Sequence, residues 1–496
     1  MQTGAILSIG LYFLAMLGIG YYSYLKTKNN ANGFVLGGRS LSPSVTALSA
    51  GASDMSGWML MGLPGALFVS GLTSGWIAIG LVIGAYFNYL LVAPRLRVYT
   101  EVVNDAVTIP QYIERRFHDH SHVMRIVCAV VIVIFFAIYT TSGVVAGGKL
   151  FETSFGLNYQ IGVMITAGVV VAYSAFGGFL AVSITDFVQG CIMFLALIVV
   201  PVVALSEIGG WSESSTILNS VDPALLSLQG VGVLGVISAA SWGLGYFGQP
   251  HIIVRFMAIR SVGDIKLARR IGMSWMVITL IGACAVGLVG AAYVAKTSAN
   301  LADPETIFIF LSTTLFHPFV AGFLLAAILA AIMSTISSQL LVTSTSLVED
   351  IAQTLFLKDI SAEKLVYYGR VAVVFVALLA IGLAQDRTSS ILSLVSNAWA
   401  GFGASFGPVI LLSLFWRRMT RSGALAGILV GTSVVLFWVY APITIDGNSL
   451  SSFIYEIVPA FILATMAIVI VSLVSARPNE LDNEFRIMEE KLRAEP

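Results

Sequence analysis

Thirteen mostly apolar stretches, each about 20 residues or longer, follow one another along this chain with only short polar connections between them. They run near 4–25, 42–69, 73–96, 122–150, 158–179, 184–207, 228–258, 267–296, 315–350, 363–385, 389–416, 421–441 and 452–475. In lipid every backbone N–H and C=O must be satisfied within its own segment, so stretches of this length predict spanning helices. The expected fold is an all-α polytopic membrane protein with 13 transmembrane helices, one domain over 1–475 and a short polar cytoplasmic tail over 476–496. Composition points the same way. Only 10% of the 496 residues are charged, where a soluble domain needs about a quarter. Lys+Arg and Asp+Glu both number 26, which gives neither a basic surplus for nucleic acid nor an acidic tail. Cys128, Cys191 and Cys284 lie far apart in apolar stretches, match no zinc spacing or disulfide framework, and read as buried thiols.

Charge placement sets the expected orientation. If the N-terminus is outside, all but three of the 26 Lys and Arg fall on cytoplasmic segments; Lys149, Lys296 and Arg387 are the exceptions. The cytoplasmic set includes Lys28, Arg255, Lys358 and Arg477. No basic residue precedes the first apolar run, Gly4 to Leu25, which reads as a retained helix rather than a secretory signal. The expected location is a bacterial inner membrane, multi-pass, with the C-terminus in the cytoplasm. In the tail, Leu481, Phe485, Met488 and Leu492 recur at helical spacing and predict a short amphipathic helix.

Helix breakers cluster inside two stretches. In the second, SVTALSAGASDMSGWMLMGLPG, Gly51 and Gly57 bracket Ser53, Asp54 and Ser56; in the seventh, SWGLGYFGQPH, Gly243, Gly245, Gly248 and Pro250 come close together. Broken backbone at membrane depth is tolerated where it lines protein or a wet cavity. Spans two and seven are five apart, which predicts a five-plus-five inverted-repeat core, spans 2–6 and 7–11, over about 42–207 and 228–416. Asp54 is an ionisable residue at depth and therefore a candidate for function, with no lysine or arginine expected at comparable depth. In span nine, AAILAAIMSTISSQLL, Ser334 and Thr335 present adjacent hydroxyls above small Ala330 and Ala331. With unwound carbonyls from span two, they could supply the neutral oxygens that a hard cation accepts.

Other classes lack their residues. There is no HExxH and no Walker A lysine motif, and the HDHSH run, His118 to His122, lies in a basic cytoplasmic loop. An acidic residue at depth also suits a passive cation channel. No cofactor and no obligate protein partner are called for; the expected partners are the bilayer, an ion and a small solute.

The stretches Gly37 to Phe68, Ser241 to Ala258 (SWGLGYFGQPHIIVRFMA) and AAILAAIMSTISSQLL, together with YSAFGGFLAVS from Tyr173 to Ser183, closely resemble the sodium/solute symporter family, its proline-carrying members in particular. The resemblance runs from about residue 4 to about 475. It implies alternating access, with Na+ as the coupling ion. It places a sodium site at the carbonyls of Ala52, Met55 and Ala331 with the hydroxyls of Ser334 and Thr335. Asp54 matches the family's intramembrane aspartate, and Arg39 and Asp186 match charged positions tied to coupling. Tyr139, Trp242, Tyr246 and Pro250 match positions near the substrate, with Ser56 and Gly57 facing them across the break. L-proline suits such a pocket, because a compact apolar ring with a cationic nitrogen packs on aromatic faces and its carboxylate can meet free amides at a half-helix N-terminus. Pantothenate, a carboxylate or another amino acid is the alternative solute.

Overall fold

Long apolar segments become helices here almost without exception. The computed structural model describes residues 3–27, 36–174, 178–356, 361–445, 447–476 and 480–494. In chain order the helices are α1 (Thr3–Thr27), α2 (Pro43–Asp54), α3 (Leu63–Ser70), α4 (Gly75–Phe87), α5 (Ala93–Val102), α6 (Ile109–Arg116) and α7 (Val123–Phe155). There follow α8 (Tyr159–Ser174), α9 (Phe179–Ile208), α10 (Trp211–Val221), α11 (Val233–Ala240), α12 (Pro250–Ala258), α13 (Asp264–Thr297) and α14 (Ile307–Leu315). The last are α15 (Pro318–Thr345), α16 (Ala362–Leu383), α17 (Ile391–Phe415), α18 (Arg421–Tyr440), α19 (Leu450–Phe453), α20 (Ile457–Val474) and α21 (Glu480–Ala494). A two-residue hairpin, β1 (Thr444–Ile445) against β2 (Asn448–Ser449), joins α18 to α19. Among the described residues, nine helical stretches are long and apolar enough to cross a membrane, and three shorter apolar ones accompany them. Lys28, Lys358, Arg477 and residues 175–177 of the YSAFGGFLAVS stretch lie outside the described residues.

The second and seventh apolar stretches are each two helices rather than one. Proline explains part of the irregularity. Pro64 and Pro94 each lack an N–H and crowd the carbonyl four residues back, and the turn just before each is widened into a π turn, Trp58–Gly62 and Asn88–Val92. In the seventh stretch the helix tightens to 3-10 geometry over Ser241–Gly248, passes through extended Gln249 and restarts at Pro250. A proline at the first helical position loses no hydrogen bond that the helix would have made.

α15 is enclosed, packing on α1, α2, α7 and α9, and α17 packs beside the Ser241–Gly248 break. The two ends of the bundle carry different charge networks. At one end Arg39 meets Asp105 at 2.7 Å, Arg125 meets Asp350 at 2.8 Å, and α21 docks through buried Phe485 and Met488 with Arg417 on Glu489. Two histidines of the HDHSH run are engaged there: His118 contacts Glu484 at 3.1 Å and His122 contacts Glu114 at 2.5 Å. At the other end Lys149 bridges Asp303 and Glu305 at 2.9 and 2.8 Å, and Arg387 meets Glu152 at 2.6 Å.

Candidate functional site: the break beside Asp54

The geometry begins with two misdirected backbone donors. In a continuous helix the N–H of Ser56 would reach the carbonyl of Ala52, and that of Met59 the carbonyl of Met55. Instead Ser56 N donates to Asp54 O at 2.9 Å and Met59 N to Ser56 O at 3.0 Å. The Ala52 carbonyl is thereby released, and it accepts the Ser334 hydroxyl at 2.7 Å and the Thr335 hydroxyl at 3.4 Å. Ser334 also donates back to Ala331 O at 3.1 Å. Hydroxyls in membrane helices commonly back-bond to their own helix; Ser334 does this and reaches across as well. The break thus brings oxygens of Ala52, Ala331, Ser334 and Thr335 together, while Met55 lies fully buried in the break itself. Oxygens that share a hard cation at about 2.4 Å sit roughly 3–3.5 Å apart, and the Ala52 carbonyl lies 2.7 and 3.4 Å from the two hydroxyl oxygens.

Asp54 ends α2 with 1% of its surface exposed. Its Oδ2 accepts the Tyr246 hydroxyl. Its carbonyl accepts Trp58 Nε1 at 3.1 Å and the Tyr139 hydroxyl at 3.2 Å. Aromatic rings continue outward from there. Trp242 packs on Trp58 with centroids 6.2 Å apart, on Tyr455 at 5.4 Å and on Trp399 at 6.4 Å. Trp399 stands edge-on to Tyr246 at 5.1 Å and donates its indole N–H to Trp242 O at 2.7 Å. Gly245 permits this, since a Cβ there would lie 1.9 Å from Trp399 Nε1. Gly57 likewise lets the break close on α7, where a Cβ would come within 2.9 Å of Ala146. Tyr139, Trp242 and Tyr246 therefore surround the break at Ser56 and Gly57. Pro250 lines a small cavity with Thr108, Pro110, Phe179, Leu341 and Thr345.

The model of the sodium:solute symporter family matches residues 34–431. The chain belongs to that family. Among its relatives, the osmoregulated proline transporter OpuE of Bacillus subtilis is 53% identical over 99% of both chains. The high-affinity proline transporter PutP of the same organism is 55% identical over 94% of this chain and 97% of its own. A solved Na+-coupled sialic acid symporter, 19% identical, shares the fold with a TM-score of 0.79 over 96% of this chain and 99% of that one.

In this member of the sodium:solute symporter family the two other charged positions are separated from Asp54. Asp186 is fully buried and accepts from Arg255 at 3.1 Å, from Ser49 at 2.8 Å and from Ser338 at 3.4 Å. Arg255, which the sequence reading counted on a cytoplasmic segment, is fully buried, because α12 runs inward against α2 and α9. Ser49, which it also touches, lies five residues before Asp54, about 7.5 Å along the helix. Arg39 follows positive-φ Gly37 and Gly38 and spans Asp105, Thr100, Ala106 O and Met257 O, tying the start of α2 to the ends of α5 and α12. Burial pulls its guanidinium below the ordinary value, against the upward pull of Asp105. Trp58, Trp399, Tyr455 and Asn88 also meet this region and were not singled out from sequence. Only Trp399 carried a signal, as a lone indole in the small-residue run NAWAGFGASFG.

Proposed function

We propose that this chain imports L-proline together with sodium by alternating access, with the ion held between the α2 break and α15. The observation that carries the reading is the Ala52 carbonyl, released by the break and turned to Ser334 and Thr335. Sodium would take the carbonyls of Ala52, Met55 and Ala331 and the two hydroxyls; Asp54 supplies negative charge nearby. Proline would lie against Trp242, Tyr246 and Tyr139, its carboxylate toward the amides at Ser56 and Gly57. Sodium binding draws α2 to α15, and this orders the break that receives the solute. Because the coupling is a binding free energy, sodium raises proline affinity by the factor by which proline raises sodium affinity. Arg39 and Asp186 act on the cytoplasmic side of this path. The identities of 53% and 55% to the two Bacillus subtilis proline transporters support the solute.

The wider architecture belongs to the same proposal. Of the nine long apolar stretches, Trp58–Val102 turns at Gly71–Ser74 and crosses twice; with the three shorter ones this gives thirteen crossings. Spans 2–6 and 7–11 form the two repeats within one domain over 1–475. The arginine-rich end that carries Arg39, Arg125 and Arg417 is cytoplasmic, so the N-terminus is outside. The test is uptake of a panel of small solutes into proteoliposomes under imposed gradients. Inward sodium should drive proline uphill, and a proton gradient or potential without sodium should not. Uphill accumulation of another solute with no response to proline would refute the proline assignment alone. Purely downhill movement would refute symport.

A further inference from the structure

Another cavity adjoins the break, between α2, the Asn88–Val92 turn, α12 and α13. It is a cavity of about 20 Å³ bordered by Gly51, Asp54, Asn88, Tyr89, Tyr246 and Met276. Three polar atoms on its walls have no hydrogen-bond partner in the protein: Asp54 Oδ1 and both the Nδ2 and Oδ1 of Asn88. Each residue is 1% exposed. A buried polar atom without a partner costs about 1–3 kcal/mol, so three around one cavity mark a place built for a ligand. Both amide atoms of Asn88 are orphaned, so either orientation of the amide gives the same result.

Asn88 reaches this wall through the π turn Asn88–Val92, which Pro94 imposes on the helix that follows. The volume suits one molecule of water, which needs about 10–15 Å³. The chemistry of the walls selects the occupant further. Asp54 Oδ1 is an acceptor, while Asn88 offers a donor as well as an acceptor. A metal cation would satisfy the oxygens but face the amide N–H with positive charge. A ligand that both donates and accepts satisfies all three.

We propose that this cavity is a single-water site through which Asn88 acts as a positioning residue for Asp54. The water donates to Asp54 Oδ1 and accepts from the Asn88 amide, while Tyr246 holds Oδ2 from the other side. The carboxylate is then fixed at both oxygens while the backbone around it is broken. This rests on the reading that Asp54 supports sodium binding, and the experiment separates the two. Sodium affinity without proline is measured by titration of purified wild type, Asp54→Asn, Asn88→Leu, Asn88→Ser and the Asp54→Asn/Asn88→Leu double variant.

Asn88→Leu, close in size but unable to hydrogen-bond, should weaken sodium binding about tenfold, while the maximal proline uptake rate at saturating sodium stays within about twofold. Asn88→Ser, which keeps a hydroxyl, should stay within about threefold of wild type. In the Asp54→Asn background Asn88→Leu should add less than about twofold, because its effect passes through the carboxylate. Unchanged sodium affinity in Asn88→Leu, or an undiminished tenfold loss in the double variant, would overturn the proposal. Should Asn88→Leu not fold, Asn88→Ala carries the same cycle with the same criteria. Asn88→Asp distinguishes the occupant: a cation in the cavity would bind sodium more tightly there, which would overturn the water assignment, whereas water predicts weaker binding from two carboxylates facing one space. If Asp54→Asn leaves sodium affinity unchanged, the reading of Asp54 fails and the proposal falls with it.

Discussion

Asp54 and Asp186 are both enclosed carboxylates that reach α2, yet their surroundings differ in kind. Asp186 faces the Arg255 guanidinium at 3.1 Å and two serine hydroxyls. Asp54 faces the phenol of Tyr246 and, among the described residues, no cationic side chain. A buried charge is costly unless compensated. Asp186 has a cation built into the fold at its Oδ2, though its Oδ1, like that of Asp54, has no hydrogen-bond partner among the described residues. Asp54 ends α2, where the Ala52 carbonyl is turned to α15, and in the proposed function its compensating cation is the one that arrives and departs. The partner of Asp186 is part of the chain, whereas under the proposed function the partner of Asp54 is the transported ion.

The strongest way to break this contrast is to remove the fixed cation. Arg255→Met should leave Asp186 uncompensated and cost about 3–5 kcal/mol of stability, read as loss of folded protein in a thermal melt after solubilisation. The double variant Arg255→Met/Asp186→Leu should recover a large part of that loss. If Arg255→Met were as stable as wild type, the pair would not be the structural element described here.

The next largest effect should come from Asp54→Asn, which removes the free carboxylate while leaving the bundle intact. A charge about 5 Å from the ion in a partly screened interior contributes about 2–3 kcal/mol, so sodium affinity should fall about 30- to 150-fold with little change in melting temperature. The opposite pattern, a fall in stability with sodium affinity preserved, would assign Asp54 to the same structural class as Asp186.

Ser334→Ala sharpens the comparison at the smaller end. It removes one neutral oxygen of a proposed five, so sodium affinity should weaken about 3- to 10-fold, with the maximal uptake rate at saturating sodium nearly unchanged. An unaltered sodium dependence would take α15 out of the ion site.

How much of this was legible in advance depends on the scale of the signal. Breaks within the second and seventh stretches showed in glycine and proline clusters, because those residues act through the local backbone. The hydroxyl pair Ser334–Thr335 stood out as polar groups in an alanine-rich apolar run. The burial of Arg255 was not legible because charge alone does not tell whether a residue near a span end turns outward or inward; α12 restarts at Pro250 and carries it into the bundle. Asn88 was overlooked because a lone amide in NYLLVAP acquires its place only through the π turn that Pro94 imposes. Pro250 matched the substrate positions by motif; it begins α12 and lines a cavity with Phe179 and Leu341. Packing around Trp242 depends on α17 and Tyr455, more than 150 residues away in sequence, which no local pattern reports.

The central claim is that sodium at the α2–α15 junction prepares the break to receive proline. Its most direct test is equilibrium binding of proline to the purified protein across a sodium titration, with wild type and Ser334→Ala side by side. The account predicts that proline affinity rises at least about tenfold from zero to saturating sodium. It also predicts that Ser334→Ala moves the sodium concentration at which this happens without changing the affinity finally reached. Proline affinity that is the same with and without sodium would contradict it.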